Sequence, residues 1–266
     1  MVCLLPPLLR RAMIYTVKTD ALEMRYIKFG RGNKNLVIIP GLNVGSVLDM
    51  EEAIVSAYSG FSAEYTVYLF DPRLDLPEKY TVSDLADDTA GAIAALGIEK
   101  TCLFGVSVGG MAAMCIAVKY PSLISKLVLG STVPQIGCDM LGLDGLTGAD
   151  KVRGFFELLY SDEFIKNLGI ADALMSKTVT AEDIRRFEIL SHIADGFDIT
   201  DRLNEIKCPA LVIGASNDGI LSPSGSAEIA ERIGCELYMY GRPYGHAVYD
   251  EAPDYKERVL EFLNRE

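Results

Sequence analysis

Three residues in this chain are of the types that together activate a hydroxyl group: Ser107, Asp218 and His246. A serine hydroxyl is a weak nucleophile at neutral pH, so it requires a base within hydrogen-bond reach. Histidine supplies that base, and a carboxylate orients the imidazole and stabilises its protonated form. The three residues therefore predict a serine nucleophile, with His246 as its general base and Asp218 as the orienting acid.

Ser107 lies in the segment FGVSVGGM, where Gly105, Ser107 and Gly109 match the pattern G-x-S-x-G. In this pattern a sharp turn between a strand and a helix lifts the serine clear of the sheet edge, and glycines allow close backbone approach. A phosphate-binding loop is excluded because it needs a lysine directly after its last glycine, and the next lysine here is Lys119. The glycine spacing also differs from that of a dinucleotide-binding turn. A helix-capping serine beside packing glycines remains an alternative.

The base and the acid both follow predicted strands in the last quarter of the chain. His246 lies in the loop before the last helix, and Asp218 follows the penultimate strand. The alternatives are a surface loop residue or helix cap for His246, and a turn residue or helix start for Asp218. The second histidine, His192, is interpreted as a residue near the C-terminus of a helix. The order serine, aspartate, histidine is the one expected when each residue follows a strand of one parallel sheet.

A hydrolase of this kind also needs two backbone N–H groups that bind the developing oxyanion. One is expected from Val108, the residue after the nucleophile, and the other from a loop that follows an earlier strand. The segment 38–46, IIPGLNVGS, ends such a strand, and Leu42 or an immediate neighbour is the candidate donor.

The elements that must position these residues follow a regular rhythm of short apolar runs and helical patterns. This rhythm predicts a parallel sheet with helices on both faces. It stops after Ser131 and resumes near Lys207, and the stretch between them contains helical segments at 152–160 and 180–193. We predict an α/β core over 13–131 and 207–266, a helical cap over 132–206 and a disordered N-terminal extension over 1–12. The predicted strands lie within 14–29 (two strands around a turn) and at 35–41, 65–73, 100–107, 126–131, 209–216 and 236–241; the predicted helices are 81–97, 110–121, 224–233 and 249–263.

Composition excludes several classes of partner. The chain has 266 residues, half of them apolar, and a formal net charge of −12. Such an acidic chain without a basic stripe is not expected to bind nucleic acid or an anionic membrane. The six cysteines show no metal-ligand or C-x-x-C spacing, which favours reduced thiols in the cytoplasm. We expect no metal or cofactor and a small acyl compound as partner, and a homodimer is left open.

Taken together, these residues and motifs resemble the α/β-hydrolase superfamily, in particular its small capped members. Those members include bacterial esterases, enol-lactonases and carbon–carbon bond hydrolases. The resemblance implies a mostly parallel, doubly wound sheet with an inserted helical cap, and a Ser-His-Asp triad at Ser107, His246 and Asp218. It covers about residues 23–131 and 207–265 and is carried by LVIIPG, FGVSVGGMAA, YPSLISKLVLGS, CPALVIGASND and GHAVYDEAPDYKERVLEFL.

The chain departs from many relatives at the expected pocket mouth. Pro40 stands where a histidine is common, and the loop after the strand 65–73 keeps Asp71 and Arg73 but has Leu74 and Leu76 in place of the usual glycines. A substrate is therefore not transferred from any one relative. Ser107 excludes haloalkane dehalogenase or epoxide hydrolase chemistry of the familiar kind, because those enzymes have an aspartate at this position.

The sequence thus predicts a serine hydrolase of the carboxylesterase class (EC 3.1.1) that acts on a small carboxylic ester or lactone. The alternatives are a carbon–carbon bond or amide hydrolase with the same triad, and a weakly catalytic ligand-binding protein. An aminopeptidase would need inward-facing cap carboxylates, for which Asp139, Asp144 and Asp150 are available. The candidates for pocket lining are Phe155, Phe156, Leu159 and Phe187, with packing inside the cap as the alternative.

Overall fold

The computed structural model describes residues 13–137, 141–142, 145–146, 148–161, 164 and 180–265. The expectation for residues 1–12 lies outside these ranges, as do Asp139 and Asp144. The described strands are β1 Met13–Lys18, β2 Glu23–Gly30, β3 Lys34–Ile39, β4 Tyr65–Phe70, β5 Thr101–Val106, β6 Ile124–Gly130, β7 Ala210–Ala215 and β8 Glu236–Tyr240. The described α-helices are α1 Glu51–Ala57, α2 Val82–Ala95, α3 Val108–Lys119, α4 Gly148–Leu159, α5 Ala181–Ser191, α6 Pro223–Ile233, α7 Val248–Glu251 and α8 Tyr255–Asn264.

The eight described strands form one sheet in the order β1-β2-β4-β3-β5-β6-β7-β8. Strands β3 to β8 are parallel, while β2 runs antiparallel to both β1 and β4. The predicted mostly parallel sheet is therefore confirmed. Because parallel strands end at the same edge, the loops after β3, β5, β7 and β8 meet there.

The centre of the sheet is fully buried, and its sequence explains why. Every residue of β5 is buried, and α3 is buried from Val108 to Val118. A helix that is apolar on all sides belongs in the interior, and the glycines and alanines of α3 allow its backbone to approach the sheet closely. The turn that carries Ser107 is therefore flanked by two fully buried stretches, β5 and the first eleven residues of α3.

Helix boundaries follow local signals that are visible in the sequence. Thr81 caps α2 and exchanges hydrogen bonds with Asp84 in a capping box, which satisfies backbone groups at the first turn. Gly97 follows that helix with φ of +69°, a conformation that glycine adopts without steric cost. Thr180 and Asp183 form the same capping box at the start of α5.

One predicted helix is wrong in form, and one described helix has no counterpart among the predictions. The expected helix 249–263 is two helices, α7 and α8, because Pro253 excludes helical backbone at the preceding residue. Ala252 accordingly has ψ of 121°. Helix α1 lies in the stretch 47–61, for which no helix was predicted.

The described part of the insertion between β6 and β7 contains α4, α5 and a 3-10 helix, Thr200–Glu205. That 3-10 helix packs against α3 and α6 through the fully buried Leu203. The end of the insertion is thus continuous with the core, and the limits of the cap at 132 and 206 stay a prediction.

Two further properties bear on the class of protein. Among the described residues, no helix is both long and apolar enough to cross a bilayer. Cys102 and Cys115 are buried and Cys208 and Cys235 are half-buried, all four as free thiols. Burial raises the pKa of the Cys115 thiol to about 11, which suits a small apolar residue rather than a reactive one.

Candidate active site

Ser107 occupies a strained turn between β5 and α3, with φ of 54° and ψ of −125°. A non-glycine residue at positive φ costs free energy and persists only where its surroundings enforce it. Two glycines make this turn sterically feasible. A Cβ on Gly105 would lie 2.3 Å from the Gly109 carbonyl oxygen, and one on Gly109 would lie 2.2 Å from that of Ile39.

The backbone of Ser107 is also held from the neighbouring strand. Its N–H donates to the carbonyl of Gly130 at 2.8 Å, and its carbonyl accepts from the Thr132 hydroxyl at 2.8 Å. A Cβ on Gly110 would contact the Thr132 side chain at 2.8 Å, so Thr132 packs directly on the first turn of α3. The sequence reading missed Thr132, because no motif distinguishes it from an ordinary residue after a strand.

The structure brings the three predicted residues into one hydrogen-bonded chain. Nε2 of His246 lies 3.0 Å from Oγ of Ser107, and Nδ1 lies 2.8 Å from Oδ2 of Asp218. The side chains of His246 and Asp218 are only 2% and 4% exposed. With Nδ1–H donating to the carboxylate, Nε2 presents a lone pair to the serine hydroxyl. The arrangement suits removal of a proton from Ser107.

Asp218 is both a turn residue and a hydrogen-bond partner of His246. Its Oδ1 accepts the N–H groups of Ile220 and Leu221, each at 2.9 Å, which is the behaviour of an aspartate in a tight turn. Its Oδ2 faces His246. The turn therefore fixes the orientation of the carboxylate, so that the second oxygen is directed at the imidazole.

The two candidate oxyanion donors lie on either side of Ser107. The Val108 N–H is the first of α3 and has no acceptor within its own helix. The loop after β3 passes over the serine, since a Cβ on Gly41 would lie 3.1 Å from Cβ of Ser107. Within the described ranges, neither the Leu42 nor the Val108 N–H has a hydrogen-bond acceptor. Both are available to a ligand, as a donor to an oxyanion must be.

A narrow cavity of about 230 Å³ reaches Ser107 and His246. Of the predicted lining residues, Phe155 and Leu159 face it. Phe156 and Phe187 instead pack on Phe155, with ring centroids 5.6 and 5.3 Å from it. The remaining described lining is aliphatic or aromatic and consists of Leu42, Leu141, Ile220 and Tyr249.

A second, larger cavity of about 530 Å³ lies beside the first and shares Leu42 with it. Its described lining includes the polar side chains of Asn43, Asp71, Thr89 and Arg186. Val108 also lines this cavity, so the expected oxyanion position lies where the two cavities meet. The unusual loops at Pro40 and after Asp71 form part of its wall.

The other candidate residues lie away from Ser107. His192 is half-exposed, and its Nδ1 lies 2.9 Å from Oδ2 of Asp195 at the end of α5. Asp150 is exposed in the first turn of α4. Within the described ranges, no cluster of three or more histidine, cysteine, aspartate or glutamate side chains has a geometry that could hold a metal ion.

The segment that carries His246 is hydrogen-bonded to the end of α4. The N–H of Ala247 donates to the carbonyl of Leu159 at 3.2 Å. Glu251 accepts both the N–H and the hydroxyl of Ser161, at 2.9 and 2.7 Å. The wall of the apolar cavity and the candidate base therefore share one hydrogen-bonded frame, which no sequence motif indicated.

Comparison with known proteins agrees with the fold. The sequence model of the alpha/beta hydrolase fold matches residues 34–189. The chain is 28% identical over 202 residues to a putative carbamate hydrolase RutD of Rhizobium rhizogenes, covering 71% of this chain and 76% of that protein. It is 27% identical over 280 residues to a 2-hydroxy-6-oxononadienedioate/2-hydroxy-6-oxononatrienedioate hydrolase of Burkholderia vietnamiensis, covering 94% of each.

A similar solved structure is that of the enol-lactonase from Burkholderia xenovorans, with a TM-score of 0.80 and 19% identity over 94% of this chain and all of that one. At this identity the likeness concerns the fold. The family match covers more than half of the chain and includes the turn at Ser107. The chain therefore belongs to the α/β-hydrolase fold family and is a hydrolase of that fold.

Proposed function

We propose that the protein is a serine hydrolase that cleaves a small carboxylic ester or lactone through an acyl-enzyme. The observation that carries this proposal is the chain of contacts from Ser107 Oγ to His246 at 3.0 Å and from His246 to Asp218 at 2.8 Å. The strained turn under Ser107 supports it, because such strain is retained where function requires the side chain to project.

The reaction follows from these positions. Ser107 Oγ attacks the carbonyl carbon as its proton passes to Nε2 of His246, and Asp218 stabilises the imidazolium. The carbonyl electrons move to the oxygen, which the N–H groups of Leu42 and Val108 hold by hydrogen bonds. The tetrahedral species then collapses, the alkoxide leaves, and it takes the proton from His246. Water repeats the sequence on the acyl-enzyme, releases the carboxylic acid and restores Ser107.

The shape of the site favours a short, uncharged acyl group. Apart from Ser107 and His246, the described lining of the apolar cavity carries no charged side chain, and a buried unpaired charge is costly. The leaving group would then extend toward the second cavity, which shares Leu42 with the first.

A second candidate is carbon–carbon bond hydrolysis, which two observations favour. The relative named as an oxononadienedioate hydrolase aligns over 94% of both chains. The second cavity, with a volume of about 530 Å³, has room for the second half of such a substrate. Amide hydrolysis with recognition of a free amine has less support, because Asp150 is exposed.

The test is activity-based labelling followed by a substrate screen. A fluorophosphonate should add its mass to the peptide that contains Ser107, and not to the Ser107→Ala variant. The parent should hydrolyse p-nitrophenyl acetate and butyrate, or a small lactone, faster than long-chain esters. Turnover of a vinylogous 1,5-diketone without ester turnover would support carbon–carbon cleavage instead. Ester turnover by Ser107→Ala equal to that of the parent would overturn the proposal.

A further inference from the structure

The loop that carries the candidate donor Leu42 is fastened at its far end by a buried carboxylate. This loop, residues 40–47, is here named the oxyanion loop. Asp71, at the end of β4, is 3% exposed. Its Oδ2 accepts the Ser46 hydroxyl at 2.8 Å, and its Oδ1 faces the N–H of Val47 at 3.4 Å. Strand β4 lies beside β3 in the sheet. The Asp71 carboxylate therefore holds the end of the loop near the sheet edge at which the loop begins.

Hydrogen-bonding and charged partners offset part of the burial of Asp71. Burial raises the pKa of this carboxyl, while the hydrogen bond from Ser46 and the nearby Arg186 and Arg25 oppose that rise. The guanidinium of Arg25 lies 4.0 Å from Oδ2. A buried carboxylate that keeps its charge needs such partners. Asp71 is thus a fixed acceptor for the Ser46 hydroxyl.

Helix α5 of the insertion covers the same junction. Arg186 is buried and donates to the carbonyls of Arg73 and Leu74 at 3.1 and 2.9 Å, in the segment that follows Asp71. Gly45, in the loop, has φ of +75°. A Cβ added there would lie 3.0 Å from Oδ1 of Asp183, which belongs to the first turn of α5. The oxyanion loop therefore lies between Asp71 below and the first turn of α5 above.

Ser46 also caps the 3-10 helix Val47–Met50 that follows the loop: its hydroxyl accepts the Leu48 N–H and its carbonyl accepts the Asp49 N–H, each at 3.2 Å. Residues 40–46 form no regular secondary structure, and the internal hydrogen bond of the loop joins the Val44 N–H to the Asn43 side chain at 3.1 Å. The loop is thus positioned by β3 at its start, by its contact with Ser107 at Gly41, and at its end by Asp71 and the Ser46 cap. A displacement of about 1 Å in a catalytic group lowers the rate on the order of a hundredfold.

We propose that Ser46 and Asp71 are positioning residues for the reaction: their hydrogen bond holds the oxyanion loop so that the Leu42 N–H points at the oxyanion. Arg186 extends this arrangement to the insertion, since it holds the segment after Asp71 from α5. Neither Ser46 nor Asp71 touches the reacting atoms. This inference rests on the proposed serine hydrolase function.

The discriminating variants are Ser46→Ala, which removes the hydrogen bond to Asp71 together with the cap on the Leu48 N–H, and Ser46→Thr, which keeps a hydroxyl for both. We expect Ser46→Ala to lower kcat about 10- to 100-fold with KM within about threefold, because oxyanion donors act on the transition state. A boronic acid that forms a tetrahedral adduct on Ser107 should lose affinity by a similar factor. Ser46→Thr should recover kcat to within about threefold of the parent.

Asp88→Asn is the matched control. Asp88 is also a mostly buried aspartate, held by Arg73 at 3.4 Å and Tyr80 at 2.8 Å, but it has no hydrogen bond to the oxyanion loop. It should leave kcat unchanged even if the melting temperature falls. Asp71→Asn, which keeps one acceptor oxygen, provides a second measurement if Ser46→Ala does not fold, and it should lower kcat more than Asp88→Asn does.

The outcomes separate this inference from the proposed function. If the parent is active and Ser46→Ala has the same kcat, the positioning role is overturned. Where Ser46→Ala does not fold, an unchanged kcat in Asp71→Asn overturns it. Equal losses of kcat in Asp71→Asn and Asp88→Asn also overturn it. A parent without ester, lactone or diketone turnover, or a Ser107→Ala variant as active as the parent, instead overturns the proposed function.

Discussion

His246 and Asp218 share a 2.8 Å hydrogen bond in which the orientation of the carboxylate is fixed. Its other oxygen is held by two backbone N–H groups, from Ile220 and Leu221. Both side chains are almost completely buried, so water does not compete for either partner. The carboxylate therefore determines which nitrogen of the imidazole carries the proton and which one faces Ser107.

Asp218→Asn should separate charge from geometry. Asn Oδ1 can still accept the backbone N–H groups, so the melting temperature should change by only a few degrees. The kcat for a p-nitrophenyl ester should fall about 10³- to 10⁴-fold, because the amide can hold the imidazole in the wrong tautomer and cannot stabilise the imidazolium. The exposed pair His192 and Asp195 supplies the control, and Asp195→Asn should be neutral. A variant of Asp218 with parental kcat would remove it from the mechanism.

The glycines beside Ser107 should tolerate no side chain. Gly105→Ala and Gly109→Ala place a Cβ within 2.3 Å of a backbone oxygen, so we expect each to lower the free energy of unfolding by roughly 2–4 kcal/mol. Gly60→Ala is the control, because no atom lies within 4 Å of a Cβ there. Urea denaturation followed by circular dichroism measures all three. Equal stability of Gly105→Ala and Gly60→Ala would show that the turn relaxes more easily than this packing implies.

The acyl cavity should change its preference when Leu159 is shortened. Leu159 is buried against the cavity, whereas its neighbour Leu158 is 40% exposed. Leu159→Ala should move the optimum of kcat/KM toward esters about two carbons longer, at some cost in stability. Leu158→Ala, with the same change in composition, should leave the profile unchanged. If Leu159→Ala and Leu158→Ala had the same chain-length profile of kcat/KM, the acyl group would not bind against Leu159.

Much of this arrangement could be predicted because local patterns and the fold agree. The turn at Ser107, the strands of the parallel sheet and the helix ends at Thr81 and Gly97 all follow from short-range rules. The break between α7 and α8 also has a local cause at Pro253, although the amphipathic pattern of 249–263 continues across it.

The rest depends on contacts between distant residues. The Ser46–Asp71 hydrogen bond spans 25 positions, and the Glu251–Ser161 contact spans 90. No periodicity in either segment indicates its partner. Phe156 and Phe187 show the same limit. The sequence places each of them in a helix, but whether the ring faces the cavity or a neighbouring ring depends on how α4 packs on α5.

The described thiols should be slow to react in the native protein. Burial raises the pKa of Cys115, Cys208 and Cys235 to about 11, against an ordinary value of 9.0. A rise of two units lowers the thiolate fraction at neutral pH about a hundredfold. Alkylation by iodoacetamide at pH 7.5, followed peptide by peptide, should therefore be slow.

The rate of alkylation of these cysteines should increase about tenfold for each pH unit up to about pH 11, as long as the fold persists. In guanidinium chloride the three cysteines should react at the ordinary rate of a free thiol. Rapid native labelling of Cys115 at pH 7.5 would contradict its burial.

Ser107 and His246 are 139 positions apart in the chain, and this separation has a consequence during synthesis. Ser107 leaves the ribosome well before His246 does, and domains generally fold as units. Until β8 has joined the sheet, Ser107 is an ordinary alcohol with no nearby imidazole. Under the proposed mechanism, the appearance of activity during refolding therefore reports that the segment carrying His246, which follows β8, has docked.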